Sequence, residues 1–452
     1  MLAAGLGTRM RSSLPKVLHP LCGRPMIEYV LDAAMAATGS RPLVVISPAT
    51  EAVRAVVGDR AGIALQAEPR GTGDALRAAL EALDDDVEDV LVLSGDVPLV
   101  RSELLTALVE ARDLDAAALS LVGVDAIDPA GLGRIVRNDG GTVERIVEDK
   151  DATDEERMIG EINAGLYAID AAWLRRRIGD LRPSPATGEL YLTDLVRFAR
   201  EDGRLVAALD VEDDGRLTGI NDRVQLARAE WDMRVETNDR WMRAGVTMID
   251  PSTAYLDHGV ELAADVVLEP NVTLRGATRI GERTRIATGS QIIDSDIGPD
   301  CVIWASVIER STVEDHVIIG PFSHLRPGVH VGRRSEIGNY AEIKNSRLGE
   351  HVRQHHNSSL GDAEVGADTN VGAGTITANY DGVRKHRTTI GERVFLGVDT
   401  MLRAPVTLGD DSRTGAGAVV TRDVPPGKLA VGLPARIREP RPIPPEGEDT
   451  GS

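Results

Sequence analysis

The sequence predicts two domains, an open α/β sheet domain followed by a parallel β-helix, and three observations carry that reading. First, aliphatic residues stand at Val313, Ile319, Leu325, Val331, Ile337 and Ile343, each six after the last, often with glycine next, as in Ile319-Gly320 and Val331-Gly332. A period of six fits neither helix nor strand; it marks a coil in which each hexapeptide forms one side of a triangle and sends its aliphatic residue to the axis. The register resumes at Ile390, Leu396, Leu402 and Leu408, and an earlier copy reads Ile280, Ile286, Ile292. Second, apolar runs before residue 245 alternate with helical patterns instead. Third, 452 residues exceed what one hydrophobic core usually serves. Coils bury one another and none is stable alone, so the first 244 residues form a separate unit.

Composition narrows the class. A net charge of −20, from 71 acidic against 51 basic residues, argues against nucleic-acid binding and gives weight to any Lys or Arg placed in a motif. Cys22 and Cys301 are the only cysteines, too few for a disulfide framework, and a reducing cytoplasm is expected. No apolar run reaches membrane-spanning length and no signal peptide is visible, so neither membrane nor nucleic acid is an expected partner.

The opening MLAAGLGTRMR is a glycine-rich loop of the kind that follows a buried strand. Gly5 and Gly7 let backbone N–H groups close on phosphate oxygens, which Arg9 and Lys16 neutralise; the bland alternative is a turn. The preceding strand is nearly absent, which raises the expectation of a start upstream of Met1. A helix is predicted around Ile27, Val30, Leu31 and Ala34. Strands at 43–46, 63–65, 90–93 and 117–122 alternate with helices at 74–83 and 102–111, the βαβ pattern of a parallel sheet whose ligands gather at strand carboxyl ends. Gln66 and Gly71-Thr72 follow one such strand, and Ser94-Gly95-Asp96 another. An isolated Asp96 would be a turn cap; opposite a phosphate loop it suits Mg²⁺.

Three further segments read as loops: Gly131 to Arg134, Val147 to Lys150, and Glu161 to Gly165. Asn221 or Asp222 caps a helix over 224–242, with Leu226, Trp231, Val235 and Trp241 spaced for one face. The resulting division is 1–221, a connecting helix 222–244, the coil 245–440, and a disordered tail 441–452.

In this order the motifs resemble the bifunctional N-acetylglucosamine-1-phosphate uridyltransferase and glucosamine-1-phosphate acetyltransferase family. The resemblance rests on Leu2-Ala3-Ala4-Gly5-x-Gly7-Thr8-Arg9-Met10 with Lys16, Gln66, Gly71-Thr72, Gly95-Asp96, Gly133, Glu148, Asn163 and Asn221. In the coil it rests on Gly372 to Thr377 and Asn379-Tyr380-Asp381-Gly382. It spans about residues 1 to 430 and implies a Rossmann-like nucleotidyltransferase domain plus a left-handed parallel β-helix of hexapeptide repeats.

The resemblance also implies roles. Leu2, Ala3, Ala4, Gly5 and Gln66 hold the uracil of UTP, with Lys16, Gly71, Thr72 and Ser94 around the nucleotide and Gly133, Glu148 and Asn163 around the sugar. Asp96 and Asn221 hold Mg²⁺, while Arg9 and Lys16 offset charge on the departing pyrophosphate. In the coil, Arg326, Lys344 and Lys385 face the sugar phosphate, and Asn370, Asn379 and Tyr380 complete the acceptor pocket, where Ser359 stands in place of the family's Tyr. Ala373, Asn379, Tyr380, Lys385, Val398 and Ala416 meet acetyl-CoA, and His356 accepts the amine's proton. Residue type alone does not separate His356 from His351 and His355; its spacing from Leu360-Gly361-Asp362 does. A homotrimer through the coil is implied, with the acetyl site between neighbouring coils.

The coil departs from the family at Ser359, at Val398 where Ser is usual, and at Leu433 where a basic residue is usual. These changes predict weakened acetyl transfer. Two other readings remain open from sequence: a uridyltransferase whose coil only trimerises, and a nucleotide-sugar-sensing regulator.

Overall fold

The computed structural model describes residues 1–126 and 128–439, so the tail expected at 441–452 lies outside the described residues. Two compact units divide after Met233.

In the first unit, β1 (Leu43–Ile46) and β2 (Gly62–Leu65) pair in parallel. A second sheet holds β3 (Asp89–Val92), β4 (Leu119–Asp125), β5 (Arg134–Arg137), β6 (Val143–Val147), β7 (Glu161–Asp170) and β8 (Val206–Glu212), ordered β8-β4-β7-β5-β6 with β3 also on β7. Helices α1 (Met26–Thr38), α2 (Thr72–Leu80) and α3 (Ser102–Leu114) flank the strands. Alternate residues of β4 serve different cores. Leu119 and Leu121 pack with Leu76 and Leu80 of α2, while Val122 and Val124 pack with Ile27 and Leu31 of α1 and Leu105 and Leu108 of α3.

The four strands predicted from apolar runs do run parallel, but the sheet is mixed. β7 runs antiparallel between β3 and β4, pairing Val92 with Tyr167 on one side and Asp125 with Glu161 on the other. The segment from Glu161 to Gly165, read as a loop, is thus the start of β7. Its alternating burial, with Ile162 and Ala164 inward and Glu161 and Asn163 only half-buried, hides it from a search for continuous apolar runs.

Met1 to Ala3 hold the middle of the unit, with Leu2 bridging in parallel to both Val45 and Ser94. The Leu2 N–H donates to Leu93 O at 2.8 Å and the Ala3 N–H to Val45 O at 2.9 Å. A cavity of about 470 Å³, lined in part by Leu2, Leu43, Val90 and Val92, adjoins this short piece.

Helix α4 (Arg223–Arg243) crosses the division between the units. Its start is capped by Asp222, whose Oδ1 accepts from the N–H groups of Val224 and Gln225 at 2.9 Å. The predicted apolar face is corrected as well: Trp231 and Val235 are exposed, while Ala229 and Met233 are buried with Leu21 and Ile220, and Trp241 and Met242 pack on the core of the second unit.

The second unit is a coil of short parallel strands. Thr273 pairs with Gln291, Gln291 with Val307 and Val307 with His324, so a turn takes sixteen to eighteen residues, and twenty-five where Ala363 pairs with Thr388. Ile319, Leu325, Val331, Ile337 and Ile343 are all fully buried along the axis. Buried hydroxyls form a second column. Ser335 Oγ donates to Gly349 O at 3.1 Å and accepts from the Val352 N–H at 3.0 Å, closing backbone groups that the corners leave unpaired. Two longer strands, β9 (Glu336–Lys344) and β10 (Arg353–Gly361), lie side by side and bend around one corner.

Candidate functional site

In the first unit, a cavity of about 490 Å³ gathers Leu2, Ala3, Ala4, Gly5, Lys16, Gln66, Gly71, Thr72, Ser94 and Asp96, and Gly7, Thr8 and Glu189 also line it. Gly7 has φ +59°, and a Cβ there would meet Lys16 Cβ at 2.7 Å, so glycine lets the loop fold against the lysine. At one side Lys16 Nζ contacts Asp96 Oδ2 and donates to Asn221 Oδ1 at 3.1 Å. Arg9 donates to the same Asn221 oxygen at 3.0 Å, and Ser94 Oγ donates to Asp96 Oδ1 at 2.6 Å. Asn221 turns its amide N–H to Gly219 O at 3.0 Å, which fixes its oxygen toward the cations. Asp96 and Asn221 therefore converge on one cation.

One carboxylate and one amide oxygen suit Mg²⁺ that draws its remaining ligands from phosphates and water. No group of three or more His, Cys, Asp or Glu side chains able to hold a metal exists among the described residues, so the protein offers no complete cage.

Gly133, Glu148 and Asn163 meet in a second cluster. The Asn163 N–H donates to Gly133 O at 2.9 Å, and a Cβ on Gly133 would come within 3.6 Å of Glu148 Oε2. Two residues that sequence reading missed complete it. Thr193 Oγ1 donates to Glu148 Oε1 at 3.0 Å, and Asn163 Nδ2 donates to the buried Tyr167 hydroxyl at 2.5 Å. Burial holds the Glu148 carboxyl above the usual range, with the Thr193 hydrogen bond opposing and the charges of Asp151, Glu189 and Asp194 adding to the rise. Burial, then Glu148, likewise raises the Tyr167 phenol. The signal for Thr193 and Glu189 was the run Gly188-Glu189-Leu190-Tyr191-Leu192-Thr193. Its backbone is tied to the Gly71-Thr72 turn, with Gly73 N–H to Leu190 O at 2.8 Å and Leu192 N–H to Thr72 Oγ1 at 3.0 Å.

In the coil, the sequence-predicted residues fall into two groups. One is a cation cluster. Lys385, then Arg326, hold the Lys344 ammonium below its usual range, and Arg326 pairs with Glu342 at 2.9 Å. Asn379 Nδ2 donates to Asp362 Oδ2 at 2.5 Å beside it, and Tyr380 bridges to Lys385.

The other group is a corner column. His356 stands opposite Asn339 in the β9–β10 register. The next turns bring Ala373 beneath it, through the Gly374 N–H to Asn357 O at 2.7 Å, then Val398, through the Asp399 N–H to Ala373 O at 2.6 Å, then Ala416, through the Gly417 N–H to Val398 O at 2.9 Å. Ser359 pairs with Glu342 between the two groups. Asn370 stands opposite Arg353, at the far end of β10 from the Lys344–Gly361 pair, so one chain does not gather Asn370 with the cations. His351 and His355 are engaged by Asp368 and Glu336, each at 2.7 Å. His356 is exposed and has no carboxylate partner among the described residues.

Residues 1–173 match the family model of the MobA-like NTP transferase domain, and residues 310–345 and 387–422 match that of the bacterial transferase hexapeptide. Among curated proteins, the chain is 44% identical to the "Bifunctional protein GlmU" of Heliobacterium modesticaldum over 95% of this chain and 94% of the relative. It is 45% identical to the protein of the same name from Pelobacter propionicus over 95% of this chain and 94% of that one. A third, from Rhodococcus jostii, is 43% identical over 95% of this chain and 88% of its own length.

Proposed function

This chain belongs to the family of bifunctional GlmU proteins, and on that premise we propose that it makes UDP-N-acetylglucosamine in two steps, one in each unit. The coil moves acetyl from acetyl-CoA to glucosamine-1-phosphate; the first unit then moves uridylyl from UTP to the N-acetylglucosamine-1-phosphate formed. The observation that carries the reading is the convergence of Asp96 and Asn221 on one cation beside the glycine loop.

In uridylyl transfer, a phosphate oxygen of the sugar attacks the α-phosphorus of UTP and pyrophosphate leaves in line. Arg9 and Lys16 offset the charge gathering on it, and the Gly133–Glu148–Asn163 cluster positions the sugar; positioning and charge supply nearly all the rate. Asp96 and Asn221 would hold Mg²⁺, which when bound screens the phosphates.

In acetyl transfer, the amine attacks the thioester carbonyl, His356 accepts the amine's proton, and CoA leaves as the thiol. Lys344, Lys385 and Arg326 anchor the sugar phosphate, while Ala373 N–H faces the developing oxyanion. An imidazole without a carboxylate partner, next to the ion-paired His351 and His355, supports this role.

The assembly proposed is a homotrimer with acetyl sites between copies. Trp304, Phe322 and Tyr340 form an exposed aromatic ridge, Phe322 and Tyr340 stacked at 5.4 Å. The ridge leads into the corner that carries His356, since Tyr340 follows Asn339 in β9. A second copy covering it would border His356 and bring its own residues to the divided acceptor set. No described helix is long and apolar enough to cross a membrane. Cys22 and Cys301 are buried free thiols, in keeping with a cytoplasmic enzyme.

Two substitutions test the division of labour. Asp96→Ala should abolish pyrophosphate release from UTP and N-acetylglucosamine-1-phosphate and leave thiol release from acetyl-CoA unchanged. His356→Ala should do the converse, lowering thiol release roughly 100- to 10,000-fold. If either folded variant loses both activities, the two-site assignment is wrong.

A further inference from the structure

We infer that Asp74 is a positioning residue that sets base choice, by locking the Gln66 side chain with its oxygen as the only group it can offer a nucleobase. The inference rests on the reading of Gln66 as the uracil contact.

Gln66 is 3% exposed and lines the nucleotide cavity. Its amide Nε2 donates to Gly71 O at 3.1 Å and to Asp74 Oδ2 at 2.9 Å. Those bonds use both N–H groups of the amide. Each partner, a backbone carbonyl and a carboxylate, accepts only, so a flipped amide would set oxygen against oxygen twice. Oε1 takes part in no hydrogen bond within the described residues, which leaves Gln66 able to accept and unable to donate.

Asp74 is itself held. It lies in the first turn of α2, it is 9% exposed, and its other oxygen contacts Arg77. An acid in a first turn is ordinary helix chemistry, and Asp74 alone would carry nothing. The second bond, into the base contact, gives it a consequence for substrate choice.

Uracil presents a donor at N3 and cytosine presents a lone pair there. A locked acceptor welcomes the first and repels the second. If the amide were free to turn, its NH₂ would meet the cytosine lone pair and the discrimination would fall.

The test is Asp74→Asn, in which Oδ1 can keep Arg77 while the new NH₂ faces Gln66 and draws the amide around. Full-length enzyme is given equimolar UTP and CTP with N-acetylglucosamine-1-phosphate, and the two sugar nucleotides are separated. The ratio of products does not depend on how much enzyme is folded. We expect the UTP:CTP preference to fall at least fivefold, about what one hydrogen bond supplies, and Asp74→Glu, which keeps the acceptor, to fall less. Should Asp74→Asn not fold, Asp74→Ala, which removes the acceptor that holds the Gln66 amide, repeats the test. An unchanged ratio with both rates lowered would make Asp74 merely structural and overturn the inference. If Gln66→Ala also leaves the ratio unchanged, the uracil-contact reading has failed and the inference with it; if Gln66→Ala shifts the ratio and Asp74→Asn does not, only the inference has.

Discussion

Replacing Gly338 by alanine should damage acetyl transfer without touching uridylyl transfer. Gly338 lies in β9 directly beside His355, one residue before the Asn339–His356 pair. A Cβ there would stand 2.0 Å from the His355 carbonyl oxygen and 2.6 Å from its carbon. The obstacle is backbone, so no rotamer relieves it, and Gly338 is not among the residues with positive φ, so the cost is purely steric. Ordinary contact begins near 3.4 Å, so the two strands, normally about 4.8 Å apart, must part locally by more than 1 Å. Overpacking of this kind costs about 1–3 kcal/mol or more. Displacing a catalytic group by about 1 Å can cost roughly 100-fold in rate, about 2.7 kcal/mol in the barrier. We expect thiol release from acetyl-CoA to fall by about that factor, pyrophosphate release to stay at the wild-type rate, and calorimetry to show only the coil's transition lowered. Thiol release within threefold of wild type, with that transition unmoved, would refute the claim that coil spacing at Gly338 positions His356.

Three further outcomes are expected. Glu148 has its folded pKa raised by burial, so the proton-bound form is favoured by folding; its contribution is present below the ordinary carboxyl pKa and is lost as pH rises through the raised one. Glu148→Gln should therefore raise Tm at pH 8 and not at pH 4, while lowering kcat/KM for N-acetylglucosamine-1-phosphate roughly tenfold through the lost charged hydrogen bond. Light scattering at micromolar concentration should give three times the chain mass, and a monomer would count against a shared acetyl site. Restoring Tyr at Ser359 and Ser at Val398 should lower the KM for acceptor and for acetyl-CoA by a few-fold each; unchanged values would remove those positions from the pocket.

The coil was legible because its signal is one-dimensional: each axial position needs an aliphatic side chain, and the spacing of Val313 to Ile343 states the geometry outright. Between Ile343 and Ile390 the signal failed although the coil continues. The steps from Ile343 to Leu348 and from Leu360 to Val365 are five, and Gln354, fully buried, takes an axial place by donating to Ser358 Oγ at 2.9 Å. The first unit was legible where strands are covered on both faces and illegible at β7, whose half-covered Asn163 joins Gly133 and Glu148 in the second cluster. Thr193, Tyr167 and Asp74 escaped for a different reason: each acts through another side chain, Glu148, Asn163 and Gln66, and such contacts are set by packing rather than by a motif.

On the proposed acetyl site, the three departures in the coil are expected to act on affinity rather than on chemistry, and their exposure is the reason. A missing hydrogen-bonding group is severe when it strands a buried partner and mild when water replaces it. Val398 is 48% exposed and Leu433 is 77% exposed, so a CoA phosphate or amide bound there without the usual hydroxyl or cation would stay solvated, at about 1 kcal/mol or less each. Ser359 is half-buried, yet its backbone N–H is held by Thr375 O at 2.9 Å, so the strand that carries His356 keeps its course whatever side chain projects there. On the proposed acetyl site, the three departures are therefore expected to change how firmly the two substrates are held rather than the groups that react.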